Sequence, residues 1–412
     1  MTSEFIFYLI VGVLVFNFIL ETTLDCLNAS RFDAQLPEGL RNLYDKEDYL
    51  KSQAYKKDKF KFGTLQSILS ITLILVFLSL EGFGFVNEIA HRLFDNPILV
   101  SLSFLFILFL GEELISTPFD YYFTFKIEER YGFNTSTQRL FWLDKLKSLF
   151  IVLTLGGIIL GLILIVYSAV GPDFWWYAWI LIALFSFFMN MFYAKLIVPL
   201  FNKQTPLEEG ELRSQIQDYA SSMNFNLKNI FVIDSSKRSQ KANAYFSGFG
   251  NEKRITLFDT LIKDLDIKEI VAVLAHEVGH YKKHHIILNL FVSLISSGFM
   301  LWLFSFFIEE PVLSQALGIE LPSFHVGLVV FSFLYAPISL VTGLLTNHLS
   351  RVFEFQADDF ASFTYSGDFL SSALKKLSKK SLSNLTPHPA YVFFHFSHPS
   401  LKERLKNLKN KS

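Results

Sequence analysis

Residues 271–285, VAVLAHEVGHYKKHH, contain the side chains of this chain that are best suited to chemistry. His276 and His280 are four residues apart in an apolar stretch with helical spacing, so both imidazoles project from one face of a helix and can hold one Zn²⁺. Glu277 points about 100° away around the same helix, where its carboxylate can reach a metal-bound water without binding the metal. Bound zinc lowers the pKa of that water towards ~7. The pattern therefore predicts zinc-assisted peptide hydrolysis, with Glu277 as the general base.

A catalytic zinc ion needs a third protein ligand, and the residues directly after His280 do not continue any extended histidine motif. The segment RVFEFQADDF contains Glu354 and Asp358, four residues apart at the end of an apolar run. We expect Glu354 to be the third ligand and Asp358 to accept the N–H of a ligating histidine. The spacing leaves one alternative open, in which Glu354 forms an ion pair with Arg351 one turn away.

His284 and His285 follow the motif at the start of the next apolar run. They could form a second metal site with His280, or they could be histidines at a membrane interface. Their place at the mouth of an apolar run favours the interfacial interpretation. Cys26 is the only cysteine, which excludes an intrachain disulfide and a cysteine-based metal site.

The composition indicates that a lipid bilayer surrounds much of the chain. Of 412 residues, 51% are hydrophobic and only 18% are charged, which is too apolar for a soluble domain. Glu112, Glu113 and Lys195 lie inside or beside apolar runs and need a wet or paired environment. Seven runs are long enough, or nearly so, to cross ~30 Å of hydrocarbon: 5–20, 62–80, 97–111, 148–170, 174–194, 286–307 and 324–349.

The basic residues between these runs predict the orientation in the membrane. The second connection contains only Arg92, and the fourth and sixth contain no Lys or Arg. Because basic connections stay on the cytoplasmic side, we expect the N-terminus outside and the C-terminus in the cytoplasm. The first connection, by contrast, carries Arg31, Arg41, Lys46, Lys51, Lys56, Lys57, Lys59 and Lys61.

The runs divide the chain into four parts and predict a mainly α-helical, seven-span membrane bundle with a cytoplasmic α+β protease domain. Residues 1–200 form spans one to five, and 201–284 form the cytoplasmic protease domain with the metal-binding helix. Residues 285–349 form spans six and seven, and 350–412 complete the zinc site from the cytoplasmic side.

Within the cytoplasmic domain, PLEEGELRSQIQDYASSM predicts a helix and IFVIDSS a short strand. The segments NAYFSGF and RITLFDT, joined by GNEK, predict a hairpin. We expect the strand at 254–259 to offer an edge on which an extended substrate adds as a further strand.

Five separated segments together resemble the type I CAAX prenyl proteases, and the resemblance covers essentially the whole chain. It implies a zinc endopeptidase that processes prenylated protein C-termini, with a water-filled intramembrane chamber whose cytoplasmic end holds the zinc. It also implies that Asn243 lies near the scissile peptide, and that His398 and Arg404 act on the developing oxyanion. The segments are KRSQKANAYFSGF at 237–249, ITLFDTLI at 255–262, LAHEVGHYKKHH at 274–285, SRVFEFQAD at 350–358 and SHPSLKERL at 397–405.

Two other functions remain open at this point. One is a membrane quality-control protease that cuts damaged membrane proteins without a prenyl requirement. The other is a seven-span receptor or transporter with a regulatory metal site, against which the carboxylate at Glu277 and the pair Glu354 and Asp358 argue. We expect one Zn²⁺ per chain, a peptide or protein substrate, contact with membrane lipid and no nucleic acid. The host decides between the bacterial inner membrane and the endoplasmic reticulum, and the sequence does not define an oligomeric state.

Overall fold

The computed structural model describes residues 2–32, 35–36, 40, 45–225, 229–247 and 254–410. The GNEK turn of the predicted hairpin and the basic residue Arg41 lie outside these ranges. The described chain is mainly helical, with one small sheet. Its α-helices are α1 Ser3–Ala29, α2 Lys46–Ser79, α3 Gly82–Leu93, α4 Pro97–Tyr122, α5 Gln138–Ile151, α6 Gly157–Val170, α7 Phe174–Leu196, α8 Val198–Phe201, α9 Glu211–Ser222, α10 Asp259–Asp264, α11 Ile267–Lys282, α12 His285–Ser305, α13 Pro311–Gln315, α14 Phe324–Ala361, α15 Gly367–Lys380, α16 Pro389–His395 and α17 Leu401–Lys409.

Several helices are long and apolar enough to cross a membrane, and the chain is a multi-pass membrane protein. The stretch 138–201 contains two of the predicted apolar runs, separated at Gly171, which has φ 60° and ends α6. Beyond this break α7 packs against α6, through Ile163, Leu164 and Phe174 among others. By length and composition the described candidates are Ser3–Ala29, Lys46–Ser79, Pro97–Glu128, Gln138–Phe201, His285–Ser305 and Phe324–Lys380.

The sheet contains four strands, β1 Gln204–Pro206, β2 Asn229–Ile233, β3 Ala244–Ser247 and β4 Arg254–Phe258, in the order β1-β2-β4-β3. β4 pairs in parallel with β2 and antiparallel with β3, so both of its edges are occupied. The prediction that the strand at 254–259 offers a free edge is therefore wrong. The edge beside it belongs to β3, which is the first arm of the predicted hairpin.

α11, the helix that carries His276 and His280, is fixed at its start and along its length. Asp266 and Glu269 form a reciprocal capping box at its N-terminus, which satisfies backbone N–H groups that have no partner inside the helix. Its apolar side chains, such as Leu274, enter the same core as Leu257 of β4 and Ile216 of α9. The helix therefore rests on the sheet and presents its opposite side to α14.

Gly279 allows α11 and α14 to approach closely. A Cβ atom at this position would lie 3.1 Å from Ala357 Cα and 3.2 Å from Ala357 O, distances at which one of the two helices must shift. Gly279 lies between the two histidines of the motif, and Ala357 lies between Glu354 and Asp358. The absence of a side chain on Gly279 therefore brings the two predicted groups of ligands together.

Candidate metal centre

His276, His280 and Glu354 each offer one ligand atom, and these atoms all lie within 4.8 Å of one another. The two Nε2 atoms are 3.1 Å apart. Glu354 Oε2 is 3.5 Å from His276 Nε2, and Glu354 Oε1 is 3.3 Å from His280 Nε2. Ligands at ~2.0 to 2.1 Å from a tetrahedral zinc ion are about 3.3 Å apart. The spacing of the three donors thus fits one zinc ion.

The hydrogen bonding of Glu354 also fits a metal ligand. Its side chain is 6% exposed, and Arg404 Nη1 lies 3.2 Å from Oε2. Even so, Oε2 is buried and accepts no hydrogen bond of normal geometry from the described residues. Buried carboxylate oxygens normally have partners. Arg351, the alternative partner from sequence, instead donates to the carbonyl oxygens of Phe396 and Val392.

Asp358 holds His276 in the orientation that a ligand needs. Its carboxylate is fully buried and lies 2.9 Å from His276 Nδ1. The N–H on Nδ1 therefore has an acceptor, which leaves Nε2 to face the other two donors, His280 and Glu354. Burial lowers the pKa of His276, but the neighbouring carboxylates of Asp358 and Glu354 outweigh this effect and raise the pKa to about 9. Binding of a cation at Nε2 must displace a proton, so affinity depends on pH.

Arg404 connects both carboxylates. Its Nε donates to Asp358 Oδ2 at 2.8 Å and its Nη2 to Oδ1 at 2.5 Å, in the two-point geometry typical of arginine and carboxylate. Because Nη1 lies near Glu354, the guanidinium contacts both Glu354, the predicted third ligand, and Asp358, the hydrogen-bond partner of His276. The structure thus brings Arg404 to the three donors, where it contacts the two carboxylates and its Nη2 lies 3.3 Å from His276 Nδ1.

His398 reaches the same cluster from the loop before α17. Its Nε2 lies 3.2 Å from Glu354 Oε1, while its side chain is 62% exposed. The imidazole therefore lies at the open side of the cluster. Its Nδ1 is 3.0 Å from Ser397 Oγ.

Glu277 is partly buried on α11, next to His276. Burial raises the pKa of its carboxyl group, and the nearby histidines His276 and His280 oppose this effect. A carboxylate with a raised pKa is suited to taking up a proton and giving it back.

Asn243 lies immediately before the edge strand β3. Its Oδ1 accepts from the Ala244 N–H at 2.9 Å, and its carbonyl oxygen accepts from the Phe258 N–H at 3.1 Å. Within the described ranges, these hydrogen bonds tie Asn243 to the sheet, and none joins it to His276, His280 or Glu354. β3 itself packs beside α11, where Phe246 contacts Tyr281 with ring centroids 5.2 Å apart.

His285 contradicts its predicted place at the membrane interface. It is only 1% exposed, and its Nδ1 lies 3.0 Å from His280 Nδ1. Helical spacing in the sequence does not predict this contact between His280 and His285, because His284 has φ 60° and breaks the helix between α11 and α12. His285 therefore turns back onto His280, whereas His284 is exposed.

Two family models match the chain, the CAAX prenyl protease N-terminal region with five membrane helices over residues 25–203 and peptidase family M48 over residues 206–412. The chain belongs to this family. It is 38% identical to the CAAX prenyl protease 1 homolog of Dictyostelium discoideum over 395 residues, covering 92% of this chain and 90% of that one. It is 34% identical to CAAX prenyl protease 1 of Saccharomyces cerevisiae, covering 91% and 89%.

The fold agrees with this membership. The crystal structure of S. mikatae Ste24p matches with a TM-score of 0.93 at 32% identity, covering 98% of this chain and 99% of that one. The chain is thus a membrane metalloprotease of the CAAX prenyl protease 1 type, as the resemblance predicted. The matches do not favour the receptor, the transporter or the quality-control protease.

Proposed function

We propose that this protein is a zinc endopeptidase that cleaves the C-terminal residues from prenylated proteins, with one Zn²⁺ held by His276, His280 and Glu354. The observation that carries the proposal is the convergence of these three donors within 4.8 Å. The relatives named CAAX prenyl proteases, which match over nearly the whole chain, support the substrate class.

The protein groups around the cluster have separate roles in this proposal. A zinc ion held by His276, His280 and Glu354 would supply Lewis acidity to the attacking water and to the scissile carbonyl group. Glu277 takes a proton from the attacking water and gives it to the departing amine. His398, on the open side of the cluster, donates to the carbonyl oxygen as negative charge develops there. Arg404 orients Asp358 and Glu354 through the contacts described above.

The substrate peptide binds, in this proposal, along the outer edge of β3 rather than along β4. β3 is the edge strand of the sheet and lies beside α11. Backbone hydrogen bonds along an edge strand hold a peptide in an extended form and tolerate many side chains. Asn243 stands at the start of this edge, where its amide can hold the substrate backbone near the scissile bond.

We further propose seven spans around a water-filled chamber. The break at Gly171 divides 138–201 into two spans, which brings the six apolar stretches to seven. Polar side chains at membrane depth need water or a partner. Glu113 is paired with Lys145 at 3.2 Å, and Glu112 is exposed. An opening of about 530 Å³ between α1 and α2 has a mixed lining, in which Asn17, Glu21, Gln66, Ser67 and Ser70 stand beside the apolar Phe18, Ile71 and Ile74.

The four parts predicted from sequence, 1–200, 201–284, 285–349 and 350–412, remain our proposed functional division. α14 continues through the boundary at 349, so the last boundary separates functions on one helix rather than two folding units. We also propose that the C-terminus and the metal site lie on the cytoplasmic side, and the basic connections support this orientation. The host membrane is the endoplasmic reticulum in a eukaryote or the inner membrane in a bacterium.

The decisive experiment compares two peptides that differ only in their lipid. Purified full-length protein is incubated with a peptide that carries a farnesylated cysteine near its C-terminus, and with the same peptide carrying S-methylcysteine. Mass spectrometry measures release of the residues after the cysteine, and the Glu277→Gln variant reports contaminating proteases. We expect cleavage of the farnesylated peptide to be at least ~10-fold faster, a difference of about 1.4 kcal/mol. Equal cleavage of both peptides would instead support the quality-control function.

A further inference from the structure

His276 and His280, the two histidines of the candidate metal site, have different hydrogen-bond partners at Nδ1, the ring nitrogen that faces away from the site. Nδ1 of His276 faces the carboxylate of Asp358 at 2.9 Å. Nδ1 of His280 faces another imidazole, because Nδ1 of His285 lies 3.0 Å away. Nε2 of His285 then lies 2.9 Å from Gln356 Oε1. A metal-bound imidazole carries a proton on its second nitrogen, and that N–H needs an acceptor. His285 stands where this acceptor is required.

Gln356, the hydrogen-bond partner of His285, determines which ring nitrogens of His285 and His280 carry a proton. Gln356 Oε1 can only accept, so Nε2 of His285 must carry the proton and donate it. The neutral imidazole of His285 then has its lone pair on Nδ1. Nδ1–H of His280 donates to that lone pair, which leaves Nε2 of His280 free to bind a metal. All three groups satisfy one another without any charge.

The surroundings of His285 hold this series of hydrogen bonds, from His280 through His285 to Gln356, in place. Its ring stacks on Phe353 at a centroid distance of 4.1 Å and an interplanar angle of 10°. Phe353 and Gln356 flank Glu354 on α14. One turn of α14 therefore supplies both Glu354, the proposed third ligand, and the two residues that hold His285 beside His280. A rigid support matters because metal–ligand distances in zinc sites stay within about 0.2 Å of their usual values.

We propose that His285 and Gln356 are positioning residues of the metal centre, which fix the tautomer and the ring orientation of His280 through this hydrogen-bond chain. The inference rests on the proposed function, since it requires His280 to be a zinc ligand. Loss of such an outer partner typically weakens metal binding by ~10 to 100-fold. His285 contacts neither the ion nor the substrate in this proposal.

The test measures the zinc dissociation constant of the purified full-length protein by competition with a chromophoric chelator. His285→Phe keeps an aromatic ring to stack on Phe353 but offers no acceptor, and we expect zinc binding ~10 to 100-fold weaker. His285→Asn places Oδ1 near the position of Nδ1, and we expect an affinity within several-fold of the wild type. His284→Asn is the matched control, because His284 is exposed and Asn tolerates positive φ.

A purely structural role gives a different pattern. If His285→Phe and His285→Asn weaken zinc binding equally, packing rather than hydrogen bonding is responsible, and the proposal is overturned. Wild-type affinity in both variants overturns it as well. If His285→Phe does not fold, Gln356→Leu and Gln356→Glu form the second pair, and only the leucine variant should bind zinc more weakly. Failure of the wild type itself to bind zinc would refute the proposed function, which is a separate outcome.

Discussion

Replacing Gly279 with Ala should weaken the metal centre without changing any ligand. The added Cβ would lie 3.1 Å from Ala357 Cα, 3.2 Å from Ala357 O and 3.2 Å from Phe360 Cβ. Two of these three atoms belong to the α14 backbone, which cannot rotate away. α11 and α14 must therefore separate by a few tenths of an ångström, and His276 and His280 move away from Glu354.

The expected effect on folding is small because two terms oppose each other. Overpacking of a tight contact costs about 1 to 3 kcal/mol. Exchanging Gly for Ala inside a helix stabilises it by about 1 kcal/mol. We therefore expect a net loss of roughly 0 to 2 kcal/mol in the free energy of unfolding. Zinc binding is more sensitive, since metal–ligand distances in zinc sites stay within about 0.2 Å of their usual values and a shift of a few tenths of an ångström takes the donors outside that range. We expect zinc binding to be at least ~10-fold weaker, as for the loss of an outer partner.

Chelator competition measures the zinc affinity of Gly279→Ala, and a thermal melt in detergent measures its stability. Gly343→Ala is the matched control, because Gly343 also lies in a helix but a Cβ there meets nothing within 4 Å. The control should bind zinc normally. If Gly279→Ala binds zinc like the wild type and melts at or above the temperature of Gly343→Ala, then α11 and α14 do not meet as described.

Four further predictions test single residues. Glu277→Gln should keep zinc but lose ~10² to 10⁴-fold in peptidase turnover, because an amide cannot accept the proton of water; retained turnover would exclude it as the base. Glu354→Ala should lose zinc and activity together in metal analysis, and a fully loaded, active variant would mean that another residue is the third ligand. Asp358→Asn should bind zinc ~10 to 100-fold more weakly, while Asp359→Asn on the same helix should match the wild type. His398→Ala should keep zinc and lose ~10² to 10³-fold in kcat, and an unchanged kcat would remove it from the reaction.

The sequence predicts that His276, His280 and Glu354 come together, as they do in the structure, because the residues of the candidate site come in pairs on helices. Four-residue spacing brings His276 and His280 to one face, and the same spacing brings Glu354 and Asp358 to one face. Each pair is therefore positioned by local geometry alone. The motif also indicates that the pairs meet, since a two-histidine zinc site requires a further ligand. Arg404 followed only from the family resemblance, because no local pattern predicts a contact with a carboxylate 46 residues away.

The sheet order and the role of His285 could not be predicted in the same way. Alternation of apolar residues identifies a strand but not its neighbours, and the parallel pairing of β2 with β4 joins segments that are not consecutive. The position of His285 depends on the left-handed backbone of His284, a conformation that is uncommon for residues other than glycine and that helical spacing does not predict. α3 is also absent from the predicted elements, because Gly82 and Gly84 lower the helix propensity of a segment whose buried Phe83, Val86 and Ala90 do keep helical spacing.

Glu354, the proposed third ligand, couples the candidate metal site to the apolar helices. Glu354 lies on α14, a helix of 38 residues that begins at Phe324 among the apolar contacts of α6, α7 and α12. His276 and His280 lie on α11, which packs in one core with the sheet. The three donors therefore lie on two helices with different surroundings. The relative position of α11 and α14 is fixed by the close contact at Gly279 and by Arg404, which lies near His276 on α11 and contacts Glu354 and Asp358 on α14. Any rearrangement that moves α14 along α11 must move Glu354 away from the two histidines, so the packing of the apolar helices sets the geometry of the proposed metal site.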